Sequence, residues 1–315
     1  MTQHFRSSRD RLDDQLRREL GEVIMARLAD PDVVEIMLND DGTLWEDRHG
    51  AGMSEIGAMD AVRALNLISH VADLLGTTVT RSHPVVEGEL SIDGSRFEAL
   101  IPPNVERPIF AIRKRASKVF TFDEYVVAGV MTGAQRDELD RHILLKHNIL
   151  VAGATGSGKT TLCNAILQRI SEVDPGTRML LMEDTRELQC PIRNKSIIRS
   201  SEYLNFQQIL RALMRLRPDR IGVGEVRDGA ALDLLKAWNT GHPGGLATVH
   251  ANSAEAALTR IEQLIQESGR TPIRAVIAEA INCIVSIQRG SGGRRIEQIL
   301  TITGGSDAGY EFTSL

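Results

Sequence analysis

Two patterns of apolar positions divide the chain. From residue 134 onward, apolar runs of three to seven residues alternate with segments whose apolar residues recur at helical spacing. Continuous apolar runs are typical of strands buried on both faces, and their alternation with helices predicts a largely parallel sheet covered on both sides. The fold class is therefore predicted to be α/β, with this larger domain over residues 134–315.

The pattern of residues 1–133 differs from that of the larger domain. It predicts a smaller α+β domain over 1–115, which a linker over 116–133 joins to the larger domain. Five apolar residues at four-residue spacing predict a packed N-terminal helix: Leu12, Leu16, Leu20, Ile24 and Leu28. A second helix is predicted over 58–75, and strands are predicted at 33–38, 43–45, 87–92 and 95–101.

In the larger domain, strands are predicted at 149–152, 179–182, 221–223, 246–249 and 281–287. Helices are predicted at 159–170, 206–216, 229–239, 254–267 and 273–280. Asn205 and Gln208 form a capping-box signal at the start of the second of these helices. The last residues, 304–315, are expected to be loose.

Composition narrows the class of protein. The 315 residues carry a net charge of −5 with only 4% aromatic residues, which disfavours direct nucleic-acid binding. Three cysteines without a CxxC pair predict neither a disulfide framework nor a zinc ribbon and favour a reducing cytosol. The chain lacks an apolar stretch of the ~20 residues that span a bilayer, and the mixed charges of its first twenty residues do not suit a signal peptide.

The strongest chemical signal is a G-x-x-x-x-G-K-[ST] phosphate loop between a predicted strand and a predicted helix. Such a loop forms an anion nest in which Lys159 reaches the β- and γ-phosphates and Thr160 offers its hydroxyl to Mg²⁺. The candidate nucleotide-binding residues are Gly153, Ala154, Thr155, Gly156, Ser157, Gly158, Lys159, Thr160 and Thr161.

Acidic residues follow two of the other apolar runs. Glu225 follows the run 221–223. It is expected near Mg²⁺, because the carboxyl ends of parallel strands face the ligand. Glu183 follows the run 179–182 and is the candidate that orients and deprotonates the attacking water, with Asp184 holding the loop or the metal's waters. Alternatively, Glu225 caps the next helix, and the acids at 183 and 184 mark a solvated strand end.

Two further groups remain open on the residues alone. His242 and His250 flank a glycine-rich turn; their spacing does not suit zinc, and a γ-phosphate sensor and a pair of structural histidines are equally compatible with it. Arg96 and the run Arg113-Lys114-Arg115 form a basic cluster. A solvated face is the favoured interpretation of this cluster, and an arginine-finger role is the alternative.

Together these motifs resemble the type II and type IV secretion traffic ATPases, most closely the conjugal-transfer subgroup of the TrbB type. The resemblance rests on GATGSGKTT, LLMEDTRELQ, RPDRIGVGEVRD and NTGHPGGLATVHANSA, which occur in the family's order, and on VEIMLNDDGTLW and SRFEALIPPNVERPIFAIRKRAS in the first domain. It implies a RecA-like P-loop ATPase domain after a PAS-like domain, in a homohexameric ring that uses ATP and Mg²⁺.

The resemblance also implies roles for the candidate residues. Glu183 matches the water activator, and Glu225 matches the glutamate near Mg²⁺; with Thr160, these two form the expected metal site. His242 and His250 match the family's two histidine-box positions. Arg96 and Arg113 match arginines that reach the γ-phosphate, which reverses the interpretation of the basic cluster as a solvated face.

The function predicted is that of a cytoplasmic ATPase powering a conjugative type IV secretion machine. Its predicted partners are further copies of itself and inner-membrane components of that machine, which it would meet at the cytoplasmic face. Three alternatives stay open: a pilus assembly or retraction motor, a nucleotide-gated structural ring with little turnover, and a nucleic-acid translocase, which the charge and the few aromatic residues disfavour.

Overall fold

The chain forms two compact units, Met1–Lys118 and Val119–Leu315. The computed structural model describes residues 8–48, 51–115, 118–201, 203–227, 230–290 and 293–315. The break between the units lies inside the predicted linker 116–133. Residues 119–133 belong to the second unit, where Phe122, Tyr125 and Met131 are part of a buried apolar core.

In the first unit, an antiparallel sheet of strand order β3-β2-β1-β6-β5-β4 carries two helices. The helices are α1 (Ser8–Ala29) and α2 (Ala61–Leu74). The strands are β1 (Val33–Leu38), β2 (Thr43–Arg48), β3 (Gly52–Ala58), β4 (Val85–Glu89), β5 (Arg96–Leu100) and β6 (Ile109–Arg113).

The predicted N-terminal stripe packs as expected. Leu16, Leu20 and Ile24 of α1 are buried in the core of the first unit, whereas Leu12 is 43% exposed. A kink at Gly21, where φ is +76°, interrupts this helix. The Arg63 side chain of α2 fills the kink and donates to the carbonyl of Glu19 at 3.2 and 3.3 Å, which satisfies an acceptor in the broken turn.

The second unit is built on a sheet of strand order β14-β13-β12-β7-β11-β10-β8-β9. Strands β12 to β9 in this order pair in parallel, and β13 and β14 are antiparallel additions. The strands are β7 (Ile149–Gly153), β8 (Met179–Glu183), β9 (Lys195–Arg199), β10 (Arg220–Val223), β11 (Leu246–His250), β12 (Cys283–Gly290), β13 (Gly293–Ser306) and β14 (Gly309–Ser314).

Helices cover both faces of this sheet and bury two apolar clusters against it. They are α3 (Phe122–Val127), α4 (Gly133–Leu144), α5 (Lys159–Val173), α6 (Phe206–Leu213), α7 (Ala230–Asn239), α8 (Ala254–Glu267) and α9 (Arg274–Ala280). The described helices include none that is long and apolar enough to span a membrane. The α/β fold class predicted from the sequence is confirmed.

The apolar runs located most of these elements, and the capping box of Asn205 and Gln208 is confirmed at the start of α6. The apolar runs did not reveal β3, β6, β9, β13, β14, α3 or α4. The expectation of a loose tail over 304–315 was wrong. Residues 309–314 form strand β14, which pairs with β13 from Leu300 to Ser306 after a two-residue turn.

Candidate active site

The phosphate loop joins the end of β7 to the start of α5, as predicted. Gly156 and Gly158 have φ of +72° and +105°, a conformation that favours glycine. At Gly153, a Cβ atom would clash with the Ser157 side chain and would lie 2.5 Å from the carbonyl oxygen of Ile287. The spacing of the glycines in the motif therefore follows from two backbone conformations and one close approach.

Lys159 and Thr160, the first residues of α5, have their polar ends engaged. The Lys159 ammonium donates to the carbonyls of Gly153 and Ala154 at 2.9 and 3.0 Å, and it lies 3.3 Å from Nδ1 of His250. The Thr160 hydroxyl donates to a carboxylate oxygen of Glu187 at 2.9 Å. Both side chains can exchange these partners for a ligand without leaving the loop.

Glu183, the last residue of β8, is only 2% exposed. One of its carboxylate oxygens accepts from the backbone N–H groups of Glu187 and Leu188 at 3.1 and 3.0 Å, and the other is buried without a hydrogen-bond partner. Burial raises the pKa of Glu183, and the two backbone hydrogen bonds offset only part of this effect. The contacts of Glu183 fix the course of the loop that follows β8.

That loop brings Glu187 to the phosphate loop, a residue that the sequence analysis missed. Glu187 contacts Thr160, and Asn164 of α5 accepts from the backbone N–H of Gln189 at 2.8 Å, so the loop is tied to α5 at two points. The signal available was the third acid in Glu183-Asp184-Thr185-Arg186-Glu187. It was overlooked because only strand-end positions were considered.

Glu225 and His250 form the third component of the site. Glu225 follows β10, and the N–H of Val226 donates to the Thr248 carbonyl at 2.8 Å, which holds this segment beside β11. Oε1 of Glu225 lies 3.2 Å from Nε2 of His250, which ends β11. Arg227 donates to the other carboxylate oxygen at 2.7 Å.

The electrostatics of this pair favour an ionised acid beside a neutral imidazole. Burial opposes ionisation of Glu225, but the hydrogen bond from Arg227 and the charges of Arg227 and Lys159 hold the pKa of Glu225 below its usual value. Burial and the positive charge of Lys159 lower the pKa of His250. With Nε2–H facing Glu225, Nδ1 of His250 is free to accept from Lys159.

Two predicted residues lie elsewhere or act indirectly. His242 precedes β11, at the amino-end edge of the sheet, and its ring contacts the carbonyl of Ala237 at 3.1 Å. The phosphate loop and His250 lie at the opposite, carboxyl-end edge, so this chain does not bring its two histidines together. Asp184 accepts from Ser200 and, at 3.1 Å, from Arg227, which makes it a support for the loop.

The two candidate arginines are register partners: Arg96 of β5 lies opposite Arg113 of β6. Like charges directly opposite on neighbouring strands are destabilising. Carboxylates accompany both arginines: Arg96 donates to Glu87 at 3.5 Å, and Glu35 of β1 is a register partner of Arg113. The rest of the basic cluster is structural: Lys114 donates to the carbonyls of Arg27 and Asp30, and Arg115 packs against Gly94. The predicted contact of Arg96 and Arg113 with the γ-phosphate stays a prediction.

The residues at the phosphate loop suit a nucleotide and Mg²⁺. Two buried side-chain oxygens there, of Ser157 and Glu183, lack hydrogen-bond partners. Among the described residues, His, Cys, Asp and Glu form no group of three or more that could cage a metal ion. Mg²⁺ is usually held by one or two carboxylates together with substrate phosphates, and Thr160, Glu187 and Glu225 offer oxygens for that arrangement.

A parallel RecA-like sheet with a phosphate loop after β7 and acids after β8 and β10 defines a P-loop NTPase. Residues 94–289 match the family described as type II/IV secretion system protein, and the chain belongs to that family. It is 46% identical to the probable conjugal transfer protein TrbB of Sinorhizobium fredii, over 98% of this chain and 94% of that protein. The chain is accordingly an ATP-hydrolysing secretion ATPase of the TrbB type.

Solved structures agree on the fold. The VirB11 ATPase of the Brucella suis type IV secretion system has a TM-score of 0.50 at 24% identity, covering 92% of this chain and 95% of that one. The ATPase DotB of Yersinia pseudotuberculosis has a TM-score of 0.64 at 19% identity, covering 94% and 80%.

Proposed function

We propose that this chain is a Mg²⁺-dependent ATPase that assembles as a homohexameric ring at the cytoplasmic face of the inner membrane and powers a conjugative type IV secretion machine. The observation that carries the proposal is the convergence of Lys159, the Thr160–Glu187 pair and the His250–Glu225 pair at one edge of the sheet. The 46% identity to a probable conjugal transfer protein over nearly the whole chain supports the conjugative setting.

In this proposal the phosphate loop and Lys159 bind the β- and γ-phosphates of ATP, and Thr160, Glu187 and Glu225 hold Mg²⁺. When bound, the metal would neutralise part of the negative charge of the phosphates. Hydrolysis is an in-line attack by water, so the protein contributes mainly position and charge. His250 senses the γ-phosphate through the loss of its contact with Lys159, and Arg96 and Arg113 add positive charge at the same phosphate.

Glu183 at the end of β8 and Glu187 in the loop that follows take different roles. Glu183 was predicted to activate water, but its buried carboxylate holds the backbone of Glu187 and Leu188. Glu187 presents its carboxylate to the phosphate loop. We therefore assign the orientation of water and metal to Glu187 and the positioning of Glu187 to Glu183.

The proposal is tested with the parent protein and Lys159→Ala in two assays. Phosphate release with and without Mg²⁺ should show metal-dependent turnover that Lys159→Ala loses by about a thousandfold or more. In a mating assay, the parent gene should restore transfer to a deletion strain, and the variant should not. Transfer restored by Lys159→Ala would contradict a role for ATP hydrolysis, and light scattering that finds a monomer with bound nucleotide would contradict the ring.

A further inference from the structure

A basic side chain from outside the phosphate loop lies against it. Arg294 is near the start of β13, and a Cβ atom at Gly158 would lie 2.9 Å from its Cδ and 3.3 Å from its Nε. Gly158 is the residue before Lys159 and the N-cap of α5. The Arg294 side chain therefore runs past the N-terminus of the helix that begins with the nucleotide-binding lysine.

The strand that carries Arg294 is fixed in this position by α3, α4 and the turn between them. The N–H of Ile296 donates to the Val130 carbonyl at 2.7 Å, and the Gln135 amide donates to the Ile296 carbonyl at 3.2 Å. Burial raises the pKa of Tyr125 in α3, and the positive charge of Arg294 opposes part of that rise. These backbone and side-chain contacts of Ile296 hold the start of β13, and with it Arg294, beside the phosphate loop.

The electrostatics of this place favour a bound anion. A helix N-terminus carries about half a positive charge, which disfavours cations nearby. Here the N-terminus of α5 has Lys159 on it and Arg294 beside it. A bound phosphate group offsets all three positive contributions, and arginine suits phosphate because its planar guanidinium presents several donors.

The order of strands indicates which phosphate lies nearest. Strand β7, which leads into the phosphate loop, lies between β11 and β12. The reactive side chains Glu187, Glu225 and His250 all come from the β11-β10-β8 side, whereas Arg294 comes from the β12–β13 side. A nucleotide whose γ-phosphate faces the acids turns its nucleoside end toward Arg294.

We propose that Arg294 is a further nucleotide-binding residue that contacts the α-phosphate, the group that ATP and ADP share. The inference rests on the proposed nucleotide site at the phosphate loop. It predicts that Arg294 governs affinity for both nucleotides and contributes little to the chemical step. Its role differs in this respect from that of the acids on the other side of the loop.

The test is calorimetric titration of ADP and of a non-hydrolysable ATP analogue into four proteins: the parent, Arg294→Ala, Arg294→Lys and Arg295→Ala. Arg294→Ala should weaken both affinities by about tenfold or more, because a hydrogen bond to a charged group is lost. The lysine variant should recover part of the affinity. Arg295, which is 69% exposed and pairs with Glu297, is the matched control and should bind as the parent does. Turnover at saturating ATP should stay parental in the control Arg295→Ala.

Three results would overturn the assignment. They are parental affinity in Arg294→Ala, weakening for the ATP analogue alone, and weakening that lysine does not restore while the melting temperature falls. Lys159→Ala, titrated alongside, separates this inference from the proposed nucleotide site. If the parent binds no better than Lys159→Ala, the nucleotide site itself fails. If binding is lost in Lys159→Ala but unchanged in Arg294→Ala, only the role of Arg294 fails.

Discussion

The two ends of the large sheet use similar residue types for different purposes. Both edges have glycine-rich segments, a histidine, acids and cations. At the carboxyl end these surround the phosphate loop, where Ser157 and Glu183 retain buried polar atoms without partners. At the amino end the polar groups bond mainly to one another: Arg220 donates to the Gly244 carbonyl and to Asp174, and Asn148 bonds to Ala280 and Gly245. The Nε of Arg220 and the Thr177 hydroxyl are also buried there without a partner.

The difference teaches how to interpret a motif that spans a strand. The histidine box begins at the amino end with His242 and ends at the carboxyl end with His250. The strand between them separates their chemistry: His242 contacts the carbonyl of Ala237, whereas His250 lies beside Lys159 and Glu225 at the phosphate loop. The following substitutions test whether the two edges are separable.

Removing the buried guanidinium at the amino end should have the largest effect. Arg220 is 1% exposed, and Arg220→Ala leaves a cavity and an unmatched Gly244 carbonyl. We expect a loss of about 3 kcal/mol in the free energy of unfolding, or ~6–12 °C in melting temperature. Calorimetry measures the loss, with exposed Arg215→Ala as a control. ADP affinity below the transition should stay parental; a large loss of affinity would mean that the edges are coupled.

At the carboxyl end, Glu187→Gln should lower turnover and leave stability nearly unchanged. Turnover should fall by about a hundredfold or more, because an amide cannot take a proton from water or carry its charge toward a metal. The melting temperature should change by less than about 2 °C, since the amide can still accept from Thr160. Glu172→Gln at the exposed end of α5 is the matched control in phosphate-release assays. Near-parental turnover would return the acid's role to Glu183.

The glycines of the amino-end turn are predicted to be needed for packing. A Cβ atom at Gly245 would collide with the Trp238 indole and lie 2.7 Å from the Ile221 carbonyl. Gly245→Ala should therefore cost about 2 kcal/mol in urea unfolding. Gly176→Ala, in the turn after α5 where a Cβ would meet open space, should be neutral or slightly stabilising. Equal effects of the two substitutions would contradict the steric explanation.

Most strands of the second unit and part of the candidate site could be predicted from the sequence, because apolar runs and the phosphate-loop motif are local signals. The five parallel strands with apolar runs were located, and so were Lys159, Thr160 and Glu225. Strand β9 was missed because its alternating pattern is that of an exposed sheet edge, and Glu187 was missed because its placement depends on a loop held by Glu183. The position of Arg294 depends on β13, an antiparallel addition whose pairing the apolar pattern did not reveal.

Acid should weaken the amino-end edge through His142 of α4. Its Nδ1 lies 2.7 Å from Nδ1 of His147, and its Nε2 lies 2.9 Å from the Thr301 hydroxyl and 3.2 Å from Glu138. Burial, with the charges of His147 and Arg141, lowers the pKa of His142 to about 4. Since the ordinary value is 6.5, the unfolded chain binds the extra proton between these values.

Stability should therefore be fully present above about pH 6.5, fall as pH decreases below it, and level off below about pH 4, with a slope of at most ~1.4 kcal/mol per pH unit from this residue. Melting temperatures measured across that range should fall less steeply in His142→Gln than in the parent. His83→Gln, which alters an exposed histidine of the first unit, should keep the parental slope. Equal slopes of melting temperature against pH in the parent and in His142→Gln would mean that protonation of His142 does not control the loss of stability in acid.

The smallest expected effect separates the two halves of the histidine box. His250→Asn should lower turnover by about tenfold, because it removes the imidazole between Lys159 and Glu225. His242→Asn should leave turnover within about twofold and cost less than about 1 kcal/mol in the free energy of unfolding, because the contact at stake is one hydrogen bond between its ring and the Ala237 carbonyl. Phosphate release at saturating ATP measures both. If His242→Asn were as impaired as His250→Asn, the amino-end edge of one chain would have to approach a nucleotide site that its own fold keeps at the opposite end of β11. The residue would then act on the site of a neighbouring subunit, and the separation of the two edges would hold within a chain but not within the assembly.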